Sequence, residues 1–410
     1  MLEEVTAHAS VRQRPLTGIM TALVKRCAGL LLRWEPEGSV MVELPTGERI
    51  RFGRAGAEGE PLLKVHSYNI LAKALRRGTI GFADAYINGD IECSDLLALF
   101  RFFVRNRDRF LKTNRGLFKV RMGDRIAHRY RRNSRPGSRR NISEHYDLSN
   151  DFFRLWLDPE LNYSSGLYLT GAESLEDAQR AKLELIFGML GLSDGDHVLE
   201  IGCGWGALAR YAARAHRVQV TGVTLSREQL AYARKQADKG GLGDRCKFSL
   251  QDYRDIRGSF DHIVSVEMIE AVGEVFWPAY FRTLKDRLKT GGAAVIQAIT
   301  IDETRFDGYR RKADFIQRYI FPGGLLPTPT IIENQAAMAG FRVERVERFG
   351  LSYAQTLREW RKRFEATWPQ AANLGLDERF RRQWRYYLAY CEAGFLEGVI
   401  DVGVYKLRKI

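Results

Sequence analysis

The chain has 410 residues, 45% apolar and 28% charged, an ordinary globular balance with enough length for two domains that each bury a core. No apolar run reaches the length of a membrane span, and five scattered cysteines (27, 93, 203, 246 and 391) show no metal-like pair spacing, which reads as reduced thiols in a cytosolic compartment. The formal net charge is +14, and nearly all of it sits in residues 101–140, where fifteen Lys or Arg face two acids, Asp108 and Asp124.

Taken in chain order, residues 17–34, "TGIMTALVKRCAGLLLRW", carry Lys25 and Arg26 in their middle. They read as an amphipathic or core helix, and they lack the clean apolar region and small-residue cleavage site of a secretory signal. Residues 40–54, "VMVELPTGERIRFGR", alternate around a "TGE" turn and predict a β-hairpin. "EPLLKVHSYNILAKALRRG" (60–78) and "SDLLALFRFFVRN" (94–106) have helical apolar spacing. Residues 1–112 are therefore expected to form a small mixed α+β domain. Residues 113–142, with "NSRPGSRR", are expected to be a basic linker. A block of this charge suits a polyanionic partner, either nucleic acid or an anionic membrane surface, or else a solvated linker.

From about residue 143 to 410 strands and helices alternate. Strands are expected near 197–201, 219–223, 247–250, 262–266, 293–299, 343–349 and 401–407. The pattern predicts an α/β fold with a doubly wound sheet that binds ligands at the carboxyl ends of its strands. "VLEIGCGWGALARYAARA" (198–215) is strand, glycine loop, helix, with Gly202, Gly204 and Gly206 allowing close backbone approach to a ligand. A dinucleotide site would need G-x-G-x-x-G, whereas this spacing is G-x-G-x-G with Glu200 just ahead of it. That combination resembles the S-adenosylmethionine loop of class I methyltransferases, in which the acid orders the loop and faces the methionine part. The second strand ends at Thr224, with Gln229 one turn later; both can hydrogen-bond ribose hydroxyls without charge. Asp252 could accept from an adenine amine, and Tyr253 could stack on the ring.

The fourth strand runs into "SVEMIEAVG" (265–273), where Glu267 and Glu270 interrupt an apolar run. Buried carboxylates need partners or a purpose. Glu270, past the strand end, is placed to work on a ligand; Glu267, at the strand tip, faces the cofactor side or caps the turn.

"EHYDLSNDFFRLWLDPELNYSSGLY" (144–168), "EIGCGWG", "GVTLSREQ", "LQDYRD", "EMIEAVG" and "RYIFPGGLLP" (318–327) occur in that order. Together they resemble the cyclopropane-fatty-acyl-phospholipid synthases, and "GFADAYINGDIEC" (81–93) resembles that family's N-terminal domain. The resemblance implies a class I methyltransferase (Rossmann-like) domain behind a small lipid-associated domain. It implies methyl transfer from S-adenosylmethionine to the double bond of an unsaturated acyl chain in a membrane phospholipid. A carbocation then loses a proton and closes a cyclopropane ring. It also implies a bound bicarbonate ion as the base, cradled by Ser165, Glu270, Gln297, Ile299 and Tyr353, and cofactor contacts from Tyr163, Ser164, Gly202, Thr224, Gln229, Asp252 and Tyr253. The Tyr353 ring can stabilise a cation and its hydroxyl can bond the ion. Cys391 matches a cysteine treated as catalytic in the family, although its small apolar neighbours read as those of a buried, inert thiol. His145 sits near the cofactor loop or serves packing.

Many bacterial members have Cys at the position of Ser165 and His at that of Gln297. The Ser/Gln pairing is similar to the plant-type branch, and it leaves ring closure and methyl or methylene branching both open. The implied partners are an anionic phospholipid surface and an unsaturated phospholipid, at the inner face of the membrane and without nucleic acid. The oligomeric state stays open, a homodimer among the options. An RNA methyltransferase would suit the basic block but lacks an "NPPY"-like loop and any known RNA module. A non-catalytic lipid-binding protein would have no use for an intact cofactor loop.

Overall fold

The computed structural model describes residues 36–54, 59–113 and 149–410, which fold into two compact units. The helix expected over 17–34, residues 114–142 of the basic linker, and His145 lie outside the described residues.

The first unit contains the described residues of Met1–Val120 together with Glu378–Ala393. Strands β1 (Ser39–Glu43) and β2 (Arg49–Gly53) make the expected antiparallel hairpin. β3 (Leu62–Val65) runs parallel to β1, and β4 (Ile91–Cys93) antiparallel to β3, giving the order β2-β1-β3-β4. β3 corrects the helical reading of 60–78. Leu63 and Val65 are buried while Lys64 is exposed, a two-residue period, and the helix begins only at Asn69. The helix Glu378–Leu396 contributes its first sixteen residues to this unit, where Tyr386 packs edge-on against Phe100 at 4.7 Å between ring centroids. Cys391 lies in that stretch, half-buried.

The second unit is built on β5 (His197–Ile201), β6 (Gln219–Thr224), β7 (Cys246–Leu250), β8 (Phe260–Val266), β9 (Leu288–Ile301), β10 (Phe341–Arg348) and β11 (Ile400–Lys409). All seven lie where the sequence predicted them. Their order is β10-β11-β9-β8-β5-β6-β7; β5 to β9 are parallel, and β11 is antiparallel to both its neighbours. The chain steps outward through β6 and β7, then returns to place β8 on the other side of β5. Order reverses between β5 and β8, and such a reversal opens a crevice at the carboxyl ends of the strands.

Burial on both faces holds these strands. Leu199, Ile263 and Ala294 are fully buried under Tyr280, Phe281 and Leu284 of the helix Trp277–Arg287. Each large apolar side chain buried this way contributes on the order of 1.5–3 kcal/mol. The helix Leu175–Leu190 starts where the Ser174 hydroxyl accepts from the Asp177 amide, carries Glu176 and Asp177 in its first turn, and stops at Gly191 with φ of 68°. Its buried face carries Ala178, Gln179, Lys182, Leu183 and Ile186, so a lysine occupies a core position.

Candidate active site

A cavity opens at the crevice. Its walls include the Gly202–Trp205 loop, Thr224 and Gln229 after β6, Gln251 and Tyr253 after β7, Glu267 and Met268 after β8, and Tyr163, Ser164 and Lys182. The three loop glycines all have positive φ. Gly204 (φ +50°) lines the cavity, and a Cβ there would meet open space, so only its bareness lets a ligand approach the backbone. Gly206 serves packing instead: a Cβ would lie 2.9 Å from Phe248 and 3.0 Å from Ala233.

The polar groups around the cavity fit S-adenosylmethionine. Glu200 is 4% exposed, and its Oε2 is buried with no hydrogen-bond partner among the described residues, an acceptor that suits a donor such as an ammonium group. Burial pushes Glu200 up to about 8 against the pull of Arg210 and Lys182. The Thr224 hydroxyl donates to Gln229 Oε1 at 2.9 Å, which joins the two predicted ribose contacts into one polar edge. Asp252 is turned away: its carboxylate accepts from Arg254 Nε at 2.8 Å and Nη2 at 2.6 Å, and it is not part of the cavity wall. Gln251, the preceding residue, lines the wall instead.

Sequence reasoning also passed over Lys182. It is 2% exposed, its Nζ donates to Ser164 Oγ at 2.9 Å, and burial pulls its ammonium down to about 8 against the attraction of Glu267, Asp158 and Glu200. The signal was present, because a lysine on the apolar stripe of an amphipathic helix rarely sits there without a charge to meet.

The two carboxylates divide the remaining donors. Glu267 Oε1 accepts from the Ser165 amide at 3.0 Å and from Gln297 Nε2 at 2.8 Å, and Oε2 accepts from the Tyr353 hydroxyl at 2.7 Å. Glu270 Oε1 accepts from the Ile299 amide at 2.5 Å, and its Oε2 is buried without a partner among the described residues. The residues named from the family resemblance thus converge, but mainly on Glu267, the acid to which the sequence reading gave the lesser part. The Ser165 hydroxyl points elsewhere, donating to the Gly166 carbonyl at 2.8 Å. Burial raises Glu267, opposed by its three donors and by Lys182. Burial and the neighbouring Glu267 push Glu270 up to about 8. A neighbouring carboxylate disfavours the charge on a carboxyl beside it. Glu267 accepts three hydrogen bonds and Glu270 one, so burial disfavours the charge more at Glu270.

Aromatic rings wall this region. Tyr353 stacks on Phe395 at 4.4 Å and meets Trp360 edge-on at 6.1 Å, and Trp360 lies 5.3 Å from Tyr163. Such a wall excludes water and presents ring faces to a cation. Cys391 lies in Glu378–Ala393, which belongs to the first unit.

The sheet order, the glycine loop after β5 and the polar cavity define an S-adenosylmethionine-dependent class I methyltransferase. The family described as mycolic acid cyclopropane synthetase matches residues 133–405. The tuberculostearic acid methyltransferase UfaA1 of Mycobacterium tuberculosis is 41% identical over 352 residues, which is 83% of this chain and 82% of that protein. The cyclopropane-fatty-acyl-phospholipid synthase of Escherichia coli is 34% identical over 345 residues, 81% of this chain and 84% of that protein. Among solved structures, mycolic acid cyclopropane synthase CmaA1 complexed with SAH and CTAB aligns with a TM-score of 0.62 at 32% identity, covering 66% of this chain and 98% of that one. The chain belongs to the mycolic acid cyclopropane synthetase family, whose members modify lipid chains with S-adenosylmethionine.

Proposed function

We propose that this enzyme methylates the double bond of an unsaturated acyl chain in a membrane phospholipid and closes a cyclopropane ring. The observation that carries the proposal is the paired carboxylates Glu267 and Glu270, set beside the cofactor cavity under an aromatic wall. An alkene has no acidic proton, so no base is needed for it to attack. What the reaction needs is stabilisation of the cation and a base for the proton that leaves afterwards. A dry pocket with a held carboxylate and ring faces supplies both.

S-adenosylmethionine, when bound, supplies an electrophilic methyl group. Tyr163, Ser164, Gly204, Thr224, Gln229 and Tyr253 would hold it, with Glu200 at its cationic end. The aromatic wall excludes water, which would otherwise trap the cation as an alcohol. Ring closure breaks a C–H bond of the added methyl, and its electron pair forms the third side of the ring.

A second reading, in which the product is a methyl- or methylene-bearing chain, is favoured by the 41% identity to a protein named for tuberculostearic acid methylation. The basic block of residues 101–140 supports action at an anionic membrane surface. The test is to incubate the purified chain with S-adenosylmethionine and vesicles of monounsaturated phospholipid, and to fragment the products by mass spectrometry. The proposal expects ring-bearing acyl chains. Branched or methylene chains would favour the second reading, and unmodified lipid would reject both.

A further inference from the structure

The bicarbonate ion that the family resemblance implies does not fit this site. Four donors of its supposed cradle are taken by the protein's own carboxylates: Ser165 N, Gln297 Nε2 and the Tyr353 hydroxyl by Glu267, and Ile299 N by Glu270. The atoms left over there, Gln297 Oε1 and Glu270 Oε2, are oxygens buried without partners among the described residues. An anion placed among them would face Glu267 with no free N–H to accept from, and a buried charge without partners is costly.

We propose that the Glu267 carboxylate is itself the proton acceptor, a base built into the chain where a bound ion would otherwise sit. Three further observations support this. First, Glu267 has φ of +48° and lies beyond the last residue of β8. That backbone is unfavourable for a glutamate, and strain of this kind persists at sites where the side chain has a task. Second, its amide donates to the Gln297 carbonyl at 2.8 Å while its side chain accepts from the same residue's amide group, so β9 fixes both ends of Glu267. Third, Glu267 lines the cofactor cavity, and Glu270, Ser165, Gln297 and Tyr353 are not among its lining residues. Of the two paired carboxylates, it is the one on the cavity wall.

This inference rests on the proposed alkene methylation. In the step concerned, a C–H bond of the added methyl breaks. Its electrons form the ring bond to the cationic carbon, and the proton goes to a Glu267 oxygen. Glu267 becomes a neutral acid, still held by Tyr353 and Gln297, and returns its proton to solvent through the cavity it lines. No second ion takes part.

The experiment uses the full chain with S-adenosylmethionine and monounsaturated vesicles, in buffer stripped of carbon dioxide and in the same buffer with added sodium bicarbonate. Wild-type turnover is expected to be equal in both. Glu267→Gly keeps a backbone suited to positive φ and frees all three donors. It should lose a hundredfold or more in kcat without bicarbonate, the usual scale for a lost base, and recover at least tenfold when the ion is added. Its cofactor affinity, measured by calorimetry, should stay within a few fold of wild type, and this also verifies folding. If Glu267→Gly does not fold, Glu267→Gln serves: it should lose as much turnover and gain nothing from bicarbonate. Wild-type turnover that collapses without bicarbonate and returns with it would overturn the inference, as would either variant turning over at the wild-type rate in stripped buffer. Absence of any lipid product from the wild type in both buffers would instead reject the proposed reaction.

Discussion

The Tyr353 hydroxyl donates to Glu267 Oε2 at 2.7 Å across 86 residues of sequence. One end of this bond belongs to a helix, Gly350–Ala366, and the other to the turn after β8. The bond stabilises the charged form of Glu267 and so holds its pKa down against burial.

Tyr353→Phe should keep the ring stack on Phe395 and lose only this donor. A hydrogen bond to a charged group is worth about 1.5 kcal/mol, or roughly one pH unit. The acid limb of kcat should therefore move to higher pH by about that much, since Glu267 would then need a higher pH to ionise. A pH–rate profile checks it, and an unmoved acid limb would remove Tyr353 from the base's surroundings.

Gly204→Val should abolish S-adenosylmethionine binding in a folded protein. A side chain there enters open space on the cavity wall, and φ of +50° strains any non-glycine residue. Gly206→Val should instead lower the melting temperature, because its Cβ collides with Phe248 and Ala233 in the core. Calorimetry and thermal denaturation separate the two. Wild-type cofactor affinity in Gly204→Val would remove the glycine loop from the cofactor site.

Glu270 should make the ligand-free protein's stability depend on pH. Its carboxyl ionises near 8 in the folded state against an ordinary value of 4.5. The folded state therefore binds this proton more tightly. The resulting stabilisation is fully present below about 4.5 and is lost as pH rises through about 8. Glu270→Gln should remove that component, so wild type should lose stability relative to the variant across this window. Chemical denaturation at a series of pH values measures the difference, and parallel curves would place the proton elsewhere.

Reversing the charge of Arg131, Arg132, Arg139 and Arg140 should weaken binding to anionic vesicles at least tenfold, at about 1 kcal/mol for each basic residue near the surface. Wild-type binding should also fall with salt. Co-sedimentation reads both, and unchanged binding would leave the basic block a linker.

The sheet was legible because its central strands are short apolar runs bounded by turn residues, as "HVLEI" before "GCGWG" shows. The cofactor loop was legible for the same local reason. β3 was not, since "LLKV" is four residues long and runs directly toward a helical pattern. Nor was the place of Glu378–Ala393, because nothing local says that Tyr386 will pack on Phe100. The candidate site was half legible. Glu267, Ser165, Gln297 and Tyr353 all drew notice, but their convergence depends on four separate segments. Which carboxylate receives the donors is a tertiary fact that spacing along the chain does not encode. Arg254, two residues on, meets the Asp252 carboxylate, a local pairing the reading of Asp252 did not weigh.

The most direct measurement follows the methyl group itself. S-adenosylmethionine carrying a trideuterated methyl is supplied to the purified enzyme with monounsaturated phospholipid vesicles, and the acyl products are weighed and fragmented by mass spectrometry. Methyl transfer followed by ring closure, with Glu267 as the base, predicts cyclopropane chains that keep two of the three deuterium atoms, the third having left as the deuteron taken by the base. Chains that keep all three deuterium atoms, or label that never enters the acyl chain, would contradict it.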